Sequence, residues 1–246
     1  MTASGTYNWA LDNASVTVEA FERCGLLPAQ LTRHHWLSSR TSLNLVLQQW
    51  SVRGPGGVNL WKVMGPTALG LVQGQAQYAL SNQTVSVLDC YYSLIDAGGP
   101  GINIDRIMIP VSRTEYAEYP NKLAQGQPTT FWHDKQFPNP QMYLYQCPQF
   151  SVADGYDVYY YWLSRIEDAN QTGGETPDVN YLFLNALCAD LAVALANKPS
   201  ITPDVSPTRR LELKQEAAEA WALASGTDRE DTPIAIRPNV GKYWLR

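Results

Sequence analysis

Two histidines stand side by side at His34 and His35, and His133 directly precedes Asp134. Adjacent imidazoles raise metal ligation, and a His–Asp pair raises a general base with an orienting carboxylate. The spacing argues against both. His34 and His35 fall in a segment of helical periodicity, where neighbours point about 100° apart and do not converge on one ion. One is expected to face the protein and one the solvent. His133-Asp134 falls in a strand-like run, whose neighbours face opposite sides of a sheet. Carboxylates pair at Glu167-Asp168 and Glu230-Asp231, both near predicted element ends, where solvated charge is the ordinary state. Glycoside hydrolysis needs two carboxylates held at a defined gap in a cleft, and nothing singles out either pair. The stretches GPGG and AGGPG lack the Lys-Ser/Thr of a phosphate-binding loop, and neither reads G-x-G-x-x-G. No G-x-S-x-G elbow is present. Cys24, Cys90, Cys147 and Cys188 lie far apart, with no C-x-x-C pair and no histidine at finger spacing. They are expected to be small buried hydrophobes and free thiols of a reducing cytosol. The sequence therefore reads as a non-enzyme with no catalytic residue, no metal and no cofactor. A hydrolase built on His133 or a carboxylate pair is the weakest reading.

Composition bounds the rest. The 246 residues suffice for one large or two modest domains, and 45% hydrophobic with 17% charged residues marks a globular chain. Low charge with 8 Trp and 14 Tyr leans toward extensive protein contact or an aromatic core. A net charge of −5 argues against gripping nucleic acid through its phosphates. MTASGTYNWALDNAS has no basic region before an apolar stretch, so no signal peptide is expected, and no 18-residue apolar run predicts a membrane span. The sequons at Asn13, Asn82 and Asn170 are then chance matches.

The elements run helix, strand, helix. Ala14, Val18, Phe21 and Cys24 share helical spacing, and Gly25 is a natural stop. Pro28 suits the first turn of a second helix whose inner face is Trp36, Ser39, Leu43, Val46, Leu47 and Trp50, ended by Gly54. Strand-like runs follow: VNLWKVM, VSVLDCYYSLI, INIDRIMIPV, TTFWHDKQ, QMYLYQC and YDVYYYWLSRI. SRTE from Ser112 has capping-box spacing and predicts a short helix through Tyr119. Thr176-Pro177-Asp178 predicts the start of a helix over 178–197, apolar almost all round and therefore central. Ser206-Pro207 opens a last, polar helix with a thin stripe of Leu211, Ala218, Trp221 and Ala224. The expected class is α+β: a helical bundle of residues 1–55 and 176–230, an antiparallel β-rich domain over 58–170 inserted between its halves, and an extended C-terminal arm over 231–246. Large side chains on both faces at Tyr159-Tyr160-Tyr161-Trp162 point to a doubly covered strand, in a central sheet position or at a subunit contact. A sugar-binding platform is the rival use of that run.

The order of these stretches resembles the head-to-tail adaptor proteins of short-tailed bacteriophages, the tail tubular protein A-like group. The stretches that carry the resemblance are LNLVLQQWSVRG then VNLWKV, YALSNQTVSVLDCYY, IPVSRTEYAEYPNKLAQGQPTTFWHDKQ, QMYLYQCP, and YYYWLSRIED leading to TPDVNYLFLNALCADLAVALA. They cover roughly residues 14–230. The resemblance implies a virion protein at the portal–tail junction, assembled in the host cytoplasm. It implies a ring, typically a dodecamer, with the helical domain against the portal protein and the β-rich domain toward the tail nozzle or tube protein and tail fibres. It implies further that double-stranded DNA passes through the ring's bore without sequence-specific binding, and no membrane partner is expected. Pro55-Gly56-Gly57 departs from the pattern as a small insertion. The alternative is a carbohydrate-binding tail module built on the β-rich domain.

The last sixteen residues, DTPIAIRPNVGKYWLR, match none of these stretches and are read on physics and position. Ile234, Ile236, Tyr243, Trp244 and Leu245 are apolar groups between two prolines and scattered charges, and they are expected to contact the portal or a neighbouring subunit. Burying five such side chains yields on the order of 7–15 kcal/mol gross. Ordering the backbone costs about 1–2 kcal/mol per residue. Pro233 and Pro238 lower that cost by stiffening the free chain. The alternation Ile234-Ala235-Ile236 suits addition to a partner's sheet edge. A single weak arm is of little use, whereas a ring of arms gains from multivalency.

Overall fold

The computed structural model describes residues 9–53, 59–94, 104–170 and 174–228. Gly54, Pro55-Gly56-Gly57, the AGGPG stretch, the Glu230-Asp231 pair and all five apolar arm residues lie outside the described residues. The described chain is α+β, as expected.

Helix α1 spans Asn13–Arg23, with Asp12 accepting from the Ser15 N–H at 2.6 Å to cap it. Gly25 ends it at φ +86°, a left-handed conformation that favours glycine. Pro28 does not open the second helix. It begins a 3-10 turn over Pro28–Gln30, and α2 runs Arg33–Trp50. The start moves because His35 Nδ1 accepts from the Thr32 N–H at 3.0 Å, giving Thr32 the cap. Trp36 is off the buried face, which consists of Ser39, Ser42, Leu43, Val46, Leu47 and Trp50. Helix α4 (Leu184–Ala196) also starts later than expected. Asn180 Oδ1 accepts from the Leu182 N–H at 3.1 Å and sets a 3-10 turn first, and Thr176-Pro177-Asp178 stays irregular. α4 is buried on several sides, as its apolar sequence predicts, and packs against α1, α2 and α5 (Pro207–Thr227). Ser206 Oγ caps α5 by accepting from the Arg209 N–H at 3.1 Å. Its buried stripe is Leu213, Ala217 and Ala224 with half-buried Trp221, so Leu211 and Ala218 point to solvent, contrary to the expected phase.

Between the helices lie two four-stranded sheets. In the first, β1 (Val63–Ala68), β10 (Tyr156–Ser164), β3 (Thr84–Leu94) and β4 (Ile104–Ile107) are antiparallel in that order. The second orders β2 (Gln77–Ala79), β8 (Gln141–Tyr145), β7 (Thr130–Asp134) and β5 (Ile109–Pro110). The pairing of β5 with β7 is parallel, as is a small pair of β6 (Gln125–Gly126) with β9 (Cys147–Pro148), where antiparallel pairing was expected throughout. Helix α3 (Arg113–Glu118) is capped by Ser112 Oγ, which accepts from the Glu115 N–H at 3.1 Å. The chain crosses between sheets at buried Met108, whose N–H donates to Cys90 O at 2.8 Å before Ile109 joins the second sheet.

Two hydrophobic cores result among the described residues. One joins α1, α2, α4 and α5 around Phe21, Trp50, Phe183 and Leu191, and also takes Ile166 and Ala169 from beyond β10. The other lies between the sheets, with Tyr92, Val158, Tyr160 and Trp162 from one and Tyr78, Phe131, Met142 and Leu144 from the other. Strand β10 is one of the two inner strands of its sheet, with β3. At Gly65, φ is +127° and an added Cβ would stand 2.8 Å from Tyr160 O, so only glycine lets β1 approach β10 so closely.

Candidate functional site

The histidines take structural places. His34 is exposed. His35 stacks edge-on to Phe21 at 5.4 Å, and its Nε2–H donates to Ile201 O at 3.2 Å while Nδ1 accepts at the helix start. One imidazole faces the protein and one the solvent, as their spacing predicts. His133 sits between the sheets, its Nδ1 accepting from the Val87 N–H at 3.4 Å and its Nε2 buried without a partner. Burial, then nearby Lys135, pulls its pKa down to about 4 against the opposing pull of Asp134. A neutral folded state with a protonatable unfolded one makes stability full above pH 6.5 and lost progressively as pH falls toward 4. Allowing for partial exposure, the loss is roughly 1–2 kcal/mol. Urea unfolding at pH 7.5 and pH 4.5 should therefore show a smaller drop for His133→Gln than for wild type. Equal drops would contradict this.

The cysteines are buried and free. Burial pushes Cys24 and Cys188 up to about 11 and also raises Cys90 and Cys147, so all four stay protonated and poorly nucleophilic near neutral pH. No group of three or more His, Cys, Asp or Glu able to hold a metal is found among the described residues. Glu167 and Asp168 line an open cleft of about 420 Å³ between the helices and the sheets, with Asn44, Gln48, Lys62 and Arg165. Tyr160 and Trp162 point into the sheet core, while Tyr159 stacks on Tyr91 at 5.6 Å on the other face. The aromatic run is therefore split between two faces and forms no single strip.

What the geometry does provide is a tied junction between the helical and β layers, and exposed apolar surface on both. Asp178 pairs with Lys62, which precedes β1, and accepts from the Glu167 N–H at 2.9 Å, following β10. Asp228, beyond α5, accepts from the Leu60 N–H at 3.0 Å. Asp190 of α4 accepts from Trp50 Nε1 at 2.7 Å and pairs with Arg53, whose guanidinium lies 4.2 Å from the Trp221 ring centre. Sequence reading missed these residues because each partner stands far off in the chain. Outward, Trp9 ahead of α1, Tyr181 in the 3-10 turn before α4 and Leu223 on α5 are exposed, as are Ile107 (84% exposed) and Ile109 on the β4–β5 edge. An edge strand with exposed isoleucines is open to pairing with another chain.

A family model described as SU10 adaptor protein matches residues 27–237, spanning α2, both sheets, α4 and α5. The chain belongs to the SU10 adaptor protein family. It is a bacteriophage structural adaptor, a virion protein that associates with other virion proteins. No curated protein matches the adaptor. The matched span takes in the junction residues Lys62 and Asp178. The match ends at residue 237, past the last described residue.

Proposed function

We propose that this adaptor is a head-to-tail connector of the kind found in short-tailed phages. In this reading a ring, probed most simply as a dodecamer, sits between the portal protein and the tail nozzle or tube protein, with tail fibres nearby. Its bore forms part of the DNA exit channel and helps retain the packaged genome. The helical layer faces the portal, the β layer faces the tail, and residues 231–246 reach the portal through Ile234, Ile236, Tyr243, Trp244 and Leu245.

The observation that carries this reading is the family match across both layers of the fold. Charge supports it. At −5 per copy, a ring carries a summed negative charge that repels phosphate at close range, which suits a bore through which DNA must slide. The ionic tie between layers supports it too, because a coupling element must transmit load from one end to the other. The test is to mix the purified protein with portal rings and weigh the product by native mass spectrometry. Twelve copies on each portal ring are expected. Portal rings that emerge bare would overturn the reading.

A further inference from the structure

Helix α2 carries two arginines, two histidines and no carboxylate. Arg33, Trp36, Leu37 and Arg40 recur at i, i+3, i+4 and i+7 and share one face. They line a pocket of about 130 Å³ against α1. Leu37 is half exposed there, a large apolar group left to water on a cationic surface. The same pocket holds Asn13, which is 6% exposed and whose Oδ1 has no hydrogen-bond partner. A buried acceptor without a donor is costly, so the pocket suits an occupant that brings both apolar surface and an N–H or O–H.

The other side of α1 has the opposite character. Glu19 and Glu22 border one groove and Glu216 and Glu219 an adjoining one, the two meeting at Arg23 and Asn185. Glu22, Glu219, Arg33 and Arg40 are in none of the ion pairs formed among the described residues. In the first groove Trp9 and Tyr181 are 74% and 73% exposed, and each carries a hydrogen-bond donor. Asn13 and Thr17 of α1 face the first surface, Val18 and Glu22 the second, so the two surfaces diverge from one helix.

We propose that these surfaces are the two halves of a head-to-tail interface between copies of this chain. The cationic α2 face of one copy seats on the acidic α1–α5 flank of the next. Arg33 and Arg40 meet Glu22 and Glu219, and Trp9 or Tyr181 enters the α1–α2 pocket and donates to Asn13 Oδ1. Two different, complementary surfaces on one molecule propagate as a ring when the rotation closes. The inference rests on the ring proposed above and assigns its contact.

The test uses two full-length variants, Arg33→Glu with Arg40→Glu, and Glu22→Lys with Glu219→Lys, studied by sedimentation velocity at low salt. Each alone opposes like charges and should lose about tenfold or more in self-association relative to wild type. An equal mixture restores opposite charges at every contact of an alternating ring, and should regain wild-type association while showing that both variants are folded. A mixture no heavier than its parts overturns the interface. Wild-type rings that both reversals leave intact overturn the interface and leave the ring standing. A wild-type chain that stays single with and without portal overturns the ring as well.

Discussion

Removing residues 231–246 is expected to leave the fold intact and to abolish stable association with the portal. The buried hydrophobic residues that fill the two cores run from Val16 to Ala224 among the described residues, so the truncated chain keeps both cores. Its thermal midpoint should stay within a few degrees of wild type. The loss at the portal is large for a reason of number. Ordering sixteen residues at about 1–2 kcal/mol each costs more than burial of the five apolar side chains yields, so the arm depends on prolines that stiffen the free chain and on strand addition, which contributes about 0.5–1.5 kcal/mol net per hydrogen bond. If each arm retains ~1 kcal/mol, a ring of about twelve sums ~12 kcal/mol, the difference between nanomolar binding and none. Substituting Trp244→Ala with Tyr243→Ala should weaken binding in the same direction. Co-sedimentation of the truncated protein with portal rings at full strength would contradict the role of the arm.

Trp50→Ala is expected to cost about 3–5 kcal/mol, the range for removing a large buried aromatic. Trp50 closes α2 where α4 and α5 meet. Its ring lies edge-on to Trp221 at 4.8 Å and to Phe183 at 6.0 Å, and it is 1% exposed. Its Nε1–H donates to Asp190, and its carbonyl accepts from Asn59 Nδ2 at 2.5 Å just before the chain enters the β layer. The alanine variant leaves a cavity and takes away one of the two donors that hold the Asp190 carboxylate. Against a typical total stability of about 5–15 kcal/mol this is a large fraction, and the thermal midpoint should fall on the order of 10 °C. Trp50→Phe separates the two contributions. It keeps the apolar contact and loses the hydrogen bond to a charged acceptor, worth roughly 1.5–3 kcal/mol. A loss under about 1 kcal/mol for Trp50→Ala in urea unfolding would show that the helical core does not depend on this contact.

Features set by a few neighbouring residues were legible in the sequence. Gly25 stops α1, Ser206-Pro207 opens α5, Ser112 caps α3, and the apolar run at 184–196 makes α4 central. β3, β7, β8 and β10 followed from β-branched and aromatic runs, whereas VNLWKVM is not a strand throughout: Leu60–Lys62 form a 3-10 turn and β1 begins only at Val63. What could not be read depended on distant partners or on fine phase. Asp178 looked like a helix-start residue, but Lys62, more than a hundred positions away, draws its carboxylate to the layer junction. The sequence phases the α5 stripe on Leu211, Ala218, Trp221 and Ala224, whereas packing of α5 on α4 accompanies burial of Leu213, Ala217 and Ala224. Parallel pairing of β5 with β7 follows from the crossing at Met108, which no local pattern announces. The charge divergence on the two sides of α1 became visible only once α2 and α5 had been set around it.

The central claim is that this chain keeps its exposed apolar surface for neighbours in a virion. The most direct measurement is cryo-electron microscopy of mature particles that contain it. The account predicts a closed ring of copies around the DNA channel between portal and tail, each with residues 231–246 laid on the portal. Copies standing alone, or those residues folded back on their own subunit, would contradict it.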